Sequence, residues 1–186
     1  MARWEPDARG RLQQAALELF EERGFDDTTV AAIAERAGLT KRTFFRHFAD
    51  KREVLFSGSE TFQQAWVDGI TNAPASASPL EAIGTGLDAA GAVLEGRSEV
   101  APRRQAILDA NPELQERERT KMASLAASAV EALHERGVGE PAAGLAADAG
   151  IAVLRVAFTD WIAGGGKQDL RELMRDALGE LRALAA

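Results

Sequence analysis

Apolar residues recur at the three- and four-residue spacing of an α-helix along most of this chain, and no segment shows the alternation of a half-buried strand. The clearest case is the C-terminal stripe, which lies opposite charged residues and consists of Leu170, Leu173, Met174, Ala177, Leu178, Leu181 and Leu184. Glycines, prolines and N-capping side chains separate the periodic segments. The sequence therefore predicts an all-α fold of about nine helices.

Local signals mark where these helices begin and end. Pro6 and Gly24 bound the first predicted helix, and two short helices follow, of which the first ends at Gly38. Asp50 and Glu53 form a D-x-x-E capping pair, which predicts a long helix that continues to about residue 71. Five later helices are predicted, over about 79–96, 101–109, 112–137, 141–163 and 170–184.

Composition excludes several classes of function. The chain has no cysteine, so disulfides and thiolate metal sites are excluded, and a reducing compartment, the cytoplasm, is expected. Its two histidines are far apart, which argues against a zinc site. We expect neither export nor a membrane span, because we find no apolar signal segment and no sufficiently long apolar run. An enzyme is not expected and no cofactor is predicted, since His134 and its neighbouring glutamates lack an accompanying nucleophile or metal set.

Charge is distributed unevenly along the chain. Residues 1–56 carry ten basic and ten acidic side chains, whereas residues 57–186 carry 12 basic and 19 acidic ones, which accounts for the net charge of −7. Residues 36–52 contain one acidic residue, Asp50, and six basic ones: Arg36, Lys41, Arg42, Arg46, Lys51 and Arg52. A compact basic segment on an acidic protein is typical of a polyanion-binding surface, although a solvated charged face has the same composition.

The two short predicted helices have the spacing of a helix-turn-helix. Ala34 is small where two helices cross closely, and Gly38 lies four residues later, where the chain needs a tight turn. On the second short helix, Phe44 and Phe48 share one face and are predicted to be core. The opposite face is predicted to lie in a DNA major groove and consists of Lys41, Arg42, Phe45 and Arg46. A position at the edge of the core is the alternative for Phe45.

The segment TTVAAIAERAGLTKRTFFRHFADKREVLF (residues 28–56) resembles the DNA-binding signature of the TetR family of transcriptional repressors. The preceding stretch ALELFEERGFDDTT fits the same family, whereas residues 57–186 fit it only in length and helical plan. The resemblance implies a ligand-responsive, sequence-specific regulator, most simply a repressor released from its operator by a small-molecule effector. The alternatives are a helical interaction module without DNA binding and, less favoured, an enzyme.

The resemblance also assigns residues to the DNA. It implies phosphate contacts from Thr29, Thr43, Phe45, His47 and Lys51, and base contacts from Lys41 and Arg42. The predicted N-cap Thr40 and the groove-facing Arg46 complete the DNA-binding set. Position 42 is commonly glycine or another small residue in the family. Arginine at this position could read guanine or bind phosphate, and the sequence leaves both open.

The same resemblance implies a DNA-binding domain over 1–50 and a ligand-binding and dimerisation domain over 51–186. The last two helices are predicted to form a homodimer on a palindromic operator, with Leu173, Leu178 and Leu181 on the packed face. The candidate ligand contacts are Phe62, Trp66, Leu87, Arg103, Met122, Arg155 and Phe158. Each apolar candidate could be plain core, and each arginine could be solvated. The stretches 103–117 and 160–166 resemble a TetR branch associated with acyl-CoA-like ligands.

The predicted long helix implies a switching mechanism. One rigid helix from residue 50 past Phe62 and Trp66 would join the DNA-binding helices to the wall of a ligand cavity. A ligand against those side chains would tilt this helix and change the spacing of the two recognition helices in a dimer, which must be roughly 34–36 Å. The sequence thus predicts release through a change in spacing.

Overall fold

The computed structural model describes residues 7–184, which form ten α-helices and, over that range, no strand. The helices are α1 (Ala8–Arg23), α2 (Val30–Arg36), α3 (Lys41–His47), α4 (Lys51–Leu55), α5 (Ser59–Thr71), α6 (Pro79–Glu95), α7 (Ala101–Asp109), α8 (Pro112–Glu135), α9 (Ala142–Ala163) and α10 (Leu170–Leu184). The predicted all-α fold is confirmed, with ten helices where the sequence indicated about nine. Pro6, the predicted start of the first helix, lies outside the described residues.

The additional helix comes from a break in the predicted long helix. Asp50 caps α4 as expected, because its carboxylate accepts hydrogen bonds from the backbone N–H groups of Arg52 and Glu53 at 2.8 and 3.0 Å. The helix nevertheless ends at Leu55, and a new one begins after Gly58, whose φ of 84° is the left-handed conformation that favours glycine. The prediction of one rigid helix from residue 50 to 71 is therefore wrong.

The described residues divide into two compact units. The first contains the residues up to Ser57 together with Arg103–Gln115, and the second contains Gly58–Pro102 and the residues from Glu116 onward. The sequence placed the domain boundary at residue 50 and assigned 103–115 to the second domain. The packing instead divides the chain after Ser57 and adds this later segment to the first unit.

The core of the first unit joins α1–α4 to the later segment. Its largest fully buried side chains include Leu12, Leu19, Ile33 and Phe44, and Ile107, Leu108 and Leu114 are buried in the same cluster. Two neighbouring arginines attach the later segment on the surface. Arg103 pairs with Glu21 through two hydrogen bonds of 2.7 Å, and Arg104 donates to the carbonyl of Leu55 at 2.7 Å. Residues 103–115 thus stabilise the first unit.

In the second unit, α6 lies at the centre and packs against α5, α9 and α10. Trp66 and Trp161 are fully buried in its core. The α5–α6 crossing is close at two glycines, since a Cβ added to Gly69 would lie 2.7 Å from the Cα of Gly86. At Gly86 the structure shows close packing.

Helix α9 is the one helix in the described residues that is long and apolar enough to pass for a membrane span by length and composition. A core helix of a soluble domain passes the same test. Eight of its residues are buried in the second unit, among them Val153, Leu154 and Trp161. Its apolar composition is therefore accounted for in large part by packing within the unit.

Candidate nucleic-acid interface

The turn between α2 and α3 is built from backbone hydrogen bonds around one glycine. Gly38 has a φ of 65°, and its N–H donates to the carbonyl of Glu35 at 2.9 Å, while the N–H of Leu39 donates to the carbonyl of Ala34 at 2.8 Å. This pair of bonds is the Schellman arrangement that ends a helix. The guanidinium of Arg11 donates to the carbonyl of Ala37 beside it. The turn predicted from the sequence is therefore present, and α1 supports it.

Threonine side chains cap both helices of this motif. Thr29 accepts from the N–H of Ala32 at 3.2 Å, and Thr40 accepts from the N–H of Thr43 at 3.1 Å. Because a hydroxyl that accepts such a bond still has a proton to donate, capping does not prevent a hydrogen bond to phosphate. Thr29 and Thr40 are exposed, whereas Thr43 is half-buried and its hydroxyl oxygen lies 3.0 Å from that of Thr40.

Helix α3 has one buried and one exposed face, as predicted. Phe44 and Phe48 are buried in the core of the first unit. Phe45 is 56% exposed, and its ring meets that of Phe44 edge-on with 5.5 Å between centroids. The exposed face carries Lys41, Arg42 and Arg46 beside this ring, and a concavity is lined by Arg42, Thr43, Phe45 and Arg46. The structure thus brings the predicted groove-facing side chains together.

Not every cation of the basic segment is available to a polyanion. Arg36 pairs with Glu22 at 2.7 Å and with Glu18 at 3.4 Å, and Arg52 pairs with Asp50 and Glu113. Hydrogen bonds from Arg36 lower the pKa of the Glu22 carboxyl, so this acid stays ionised. Within the described part of the chain, Lys41, Arg42 and Arg46 have no acidic partner. Apart from Lys51, the cations of this segment that have no acidic partner therefore lie on α3.

Lys51 has a different role from the predicted phosphate contact. Its ammonium group donates to the carbonyls of Phe25 at 2.6 Å, Asp26 at 3.1 Å and Thr28 at 3.1 Å. It also lies 4.4 Å from the centroid of the Phe25 ring. An ammonium has three N–H donors, and all three are directed to the loop between α1 and α2. Lys51 therefore holds this loop in place, and no donor remains for phosphate.

His47 is half-buried at the end of α3. Its Nε2 atom is buried and has no hydrogen-bond partner among the described residues. A phosphate contact through this side chain would therefore have to use Nδ1. The predicted contact stays a prediction, restricted to one ring nitrogen.

The predicted ligand contacts are placed mainly in the packed core of the second unit. Trp66 and Leu87 are buried there, and the indole N–H of Trp66 donates to the carbonyl of Leu125 at 3.3 Å. Three further candidates are half-buried against the same core: Phe62, Met122 and Phe158. Arg155 is exposed on α9. The apolar candidates are thus brought together, but by core packing, which is the alternative that the sequence left open.

Arg103 is not grouped with the other ligand candidates, because it belongs to the first unit. Its guanidinium pairs with Glu21, and this hydrogen bonding lowers the pKa of the glutamate carboxyl. The sequence missed this pair, and it also missed the support that Arg11 gives to the turn. Both contacts join residues that are far apart in the chain, so helical periodicity contains no signal for them. Among the described residues, no group of three metal-ligating side chains occurs.

Comparison with known proteins finds a family match for the helix-turn-helix region. Residues 12–57, which span most of α1 through α4, match the family described as bacterial regulatory proteins, tetR family. The HTH-type transcriptional regulator TcmR of Streptomyces glaucescens is 41% identical over 75 residues, which cover 40% of this chain and 33% of TcmR. The matched region thus spans about a third of the length of that relative.

Similarity to solved structures extends over nearly the whole chain. The transcriptional regulator FadR of Bacillus subtilis, solved with stearoyl-CoA, has a TM-score of 0.64 and 22% identity, with 91% of this chain and 95% of FadR covered. SmeT in its complex with triclosan has a TM-score of 0.67 and 20% identity, with 95% and 90% covered. These similarities show the fold of both units. TcmR is named as an HTH-type transcriptional regulator, which agrees with the expectation that the chain is not an enzyme. The helix-turn-helix region of this chain, residues 12–57, is therefore similar to that of the tetR family of bacterial regulatory proteins.

Proposed function

We propose that the chain is a ligand-responsive, sequence-specific DNA-binding regulator of transcription, acting in the cytoplasm as a repressor that a small-molecule effector releases from its operator. The observation that carries the proposal is the exposed face of α3. It presents Lys41, Arg42 and Arg46 without acidic partners among the described residues, on a protein whose net charge is −7.

The chemistry of this face fits double-stranded DNA. A helix of this diameter enters a major groove, and cations that neutralise phosphates release condensed counterions, which favours binding. The exposed hydroxyls of Thr29 and Thr40 lie at the starts of α2 and α3, where they can donate to phosphate oxygens. Acidic residues make up most of the charge elsewhere in the chain, which disfavours non-specific binding through other surfaces.

Fluorescence anisotropy with labelled DNA from the region flanking the gene tests this proposal. We expect tight binding to one flanking fragment, weakening steeply as salt rises, and much weaker binding to a scrambled fragment of equal length. A reporter gene placed behind that fragment should be repressed by the protein. Equal affinity for both fragments would overturn the proposal of a sequence-specific regulator.

The proposed assembly is a homodimer that binds palindromic half-sites. Helix α9 has an apolar stripe at spacings of four, three and four residues, formed by the exposed Leu145 and Val156 and the half-buried Ala149 and Ala152. Leu145 is 68% exposed and Val156 is 47% exposed, which is costly for large apolar side chains along one helix face. On α10, Leu173 and Leu181 are half-buried, whereas Leu178 is buried within its own unit and is therefore removed from the predicted dimer face.

Sedimentation equilibrium tests the dimer. The chain mass is 19.9 kDa, so we expect twice this mass at micromolar concentration. A charge introduced by Val156→Arg should shift the mass toward that of the monomer, while Arg155→Ala on the neighbouring exposed position should not. A monomer mass for the unmodified protein would contradict the proposal.

The proposed effector is a molecule of the acyl-CoA class, whose acyl chain is apolar. Support comes from the aromatic side chains of the second unit, where the Phe158 and Trp161 rings lie 5.7 Å apart, and from the fold shared with FadR, which was solved with stearoyl-CoA. Because Trp66 and Leu87 are tightly packed, such a ligand must bind a rearranged form of this core. Its effect on DNA affinity is then set by its preference for that form.

Titration of the DNA complex with stearoyl-CoA tests the effector class. We expect release of DNA by stearoyl-CoA and none by coenzyme A alone, and a tenfold loss of DNA affinity corresponds to about 1.4 kcal/mol of coupling. DNA should weaken stearoyl-CoA binding by the same factor. Release by triclosan but not by stearoyl-CoA would overturn the acyl-CoA class and leave the proposed regulator intact.

A further inference from the structure

We propose that Arg42 and Phe45 together read two neighbouring base pairs of the operator, one containing guanine and one containing thymine. In this assignment the Arg42 guanidinium binds the guanine edge, and the Phe45 ring packs on the thymine methyl group. The inference rests on the proposed DNA-binding function and names the two side chains that determine its sequence preference.

The position of Arg42 favours a base contact over a phosphate contact. It lies in the first turn of α3, and the N-terminal residues of a recognition helix are the ones that reach base edges. Its side chain is exposed, and it forms no ion pair with an acidic side chain among the described residues. The planar guanidinium presents two parallel N–H donors in a fixed fork that matches the O6 and N7 acceptors of guanine, whereas the ammonium of Lys41 is a point charge without this fixed geometry. Arg46 lies one turn later, at the C-terminal end of the helix, and is assigned to phosphate.

The chemistry of Phe45 excludes a polar contact with the DNA backbone. Phenylalanine has no hydrogen-bonding atom, so the phosphate role that family resemblance implies for this position cannot be a hydrogen bond here. The ring is nevertheless 56% exposed, and its edge-on contact with the fully buried Phe44 restricts its orientation. An oriented apolar surface beside a groove is suited to the thymine methyl, which is the apolar group that the major groove presents.

The spacing of the two side chains places them on adjacent base pairs. Arg42 and Phe45 are three residues apart on one helix face, so they are neighbours about 4.5 Å apart along the helix axis. Stacked base pairs are about 3.4 Å apart. Both side chains line the same concavity on α3. One helix face can therefore present the guanidinium to one base pair and the ring to the next.

Base analogues that remove single groups from the DNA test the two contacts separately. The full-length protein first selects its preferred duplex from a random DNA pool. Each guanine of the selected half-site is then replaced in turn by 7-deazaguanine, which lacks N7, and each thymine by deoxyuridine, which lacks the methyl group. Affinities are measured for the unmodified protein and for Arg42→Lys, Arg42→Ala, Phe45→Leu, Phe45→Ala and Arg46→Ala.

The proposal predicts two pairings between analogue and variant. One 7-deazaguanine should weaken binding of the unmodified protein by roughly five- to hundredfold, and this effect should vanish in Arg42→Ala and fall strongly in Arg42→Lys, which keeps the charge. One deoxyuridine at the neighbouring base pair should weaken binding by about fourfold, and this effect should vanish in Phe45→Ala. Arg46→Ala should weaken binding but retain both analogue effects.

Other outcomes would overturn this inference and leave the proposed function unaffected. If both analogue effects persist in the Arg42 and Phe45 variants, or if they vanish in Arg46→Ala instead, these residues do not read the bases. Phe45→Leu serves as the variant that keeps an apolar side chain, and urea denaturation confirms that each variant is folded. Failure to select any preferred duplex from the pool would instead overturn the proposed function itself.

Discussion

The helix-turn-helix of the first unit and the core of the second unit differ in the range along the chain over which the contacts that form them act. In the first unit, the caps of the DNA-facing helices join residues three apart, Thr29 to Ala32 and Thr40 to Thr43. In the second unit, the indole of Trp66 donates to the carbonyl of Leu125, 59 residues later in the chain. Local contacts leave a readable pattern in the sequence, whereas distant ones do not.

The same difference explains which functional predictions were informative. On α3, function was assigned to three exposed cations without acidic partners among the described residues, which lie beside an exposed aromatic ring. Such a basic group on an acidic protein is typical of a polyanion-binding surface. In the second unit, function was assigned to buried apolar residues, a property that every core residue shares. The four predictions below test this contrast, from the largest expected effect to the smallest.

Trp66→Ala should have the largest effect on stability. Trp66 is fully buried and its indole donates a hydrogen bond to the carbonyl of Leu125, so the substitution leaves a cavity and removes this bond. We expect a loss of about 3–5 kcal/mol in the free energy of unfolding, measured by urea denaturation. Arg155→Ala, at an exposed position of α9, should change it by less than about 0.5 kcal/mol. An unchanged free energy of unfolding in Trp66→Ala would show that this side chain lines a ligand cavity, as the sequence predicted. The difference between the two units would then no longer hold.

Lys51→Ala should lower stability and leave the electrostatics of DNA binding unchanged. Its ammonium holds three carbonyls of the α1–α2 loop, and hydrogen bonds to a charged group contribute about 1.5–3 kcal/mol. We expect a loss of this order in urea denaturation and an unaltered salt dependence of DNA affinity for the folded protein. An unchanged unfolding free energy with a salt slope shallower by about 0.9 would restore the predicted phosphate role.

Arg46→Ala should affect DNA binding without affecting stability. The side chain is exposed and has no acidic partner among the described residues, so the free energy of unfolding should change by less than about 0.5 kcal/mol. Affinity should fall on all DNA sequences alike, with a salt slope shallower by about 0.9 for each phosphate that the variant no longer neutralises. Lys167→Ala removes the same charge from an exposed position of the second unit and is the matched control. Equal reductions in affinity for both variants would show that net charge alone matters.

Arg103→Ala should have the smallest effect, and it should depend on pH. Arg103 and Glu21 form a partly exposed pair, for which about 0.2–1 kcal/mol is expected. The pKa of Glu21 is lowered from 4.5 by its hydrogen bonds to Arg103, so the stabilisation is complete above pH 4.5. It is lost as pH falls through the lower pKa of the folded state, where the carboxylate is protonated.

A double-mutant cycle with Glu21→Gln isolates the coupling within this pair. The coupling energy should be present at neutral pH and absent in acid. Should Arg103→Ala instead alter stearoyl-CoA binding while this coupling is absent, the side chain would have the ligand role that the sequence assigned to it.

Much of the first unit was predictable because its signals are local. Thr40 and Asp50 were expected as caps and are caps, Gly38 was expected in the turn and has the left-handed conformation, and Phe44 was expected in the core and is buried. Each of these assignments depends on hydrogen bonds or side-chain directions within about four residues. Helical geometry alone therefore determines them.

The errors occurred where a distant residue decides the outcome. A glycine within a helical pattern is tolerated, so the sequence did not reveal that Gly58 ends one helix and begins another. In the folded chain, the guanidinium of Arg97 occupies the space where a side chain at this position would lie. The role of Lys51 was similarly ambiguous, because a lysine after a recognition helix can donate to phosphate or to backbone carbonyls. The position of the neighbouring loop, which the sequence does not give, decides between them.

The sequence by itself determined that the chain is helical, where the helix-turn-helix lies and which face of α3 is exposed, since periodicity, capping and charge act over one or two helical turns. Only the tertiary structure decided which cations remain uncompensated on that face, that residues 103–115 pack with the first unit and that the aromatic candidates of the second unit form a packed core. Those outcomes depend on which residues, far apart in the sequence, come into contact when the helices pack. The order of residue types along the chain does not specify these contacts.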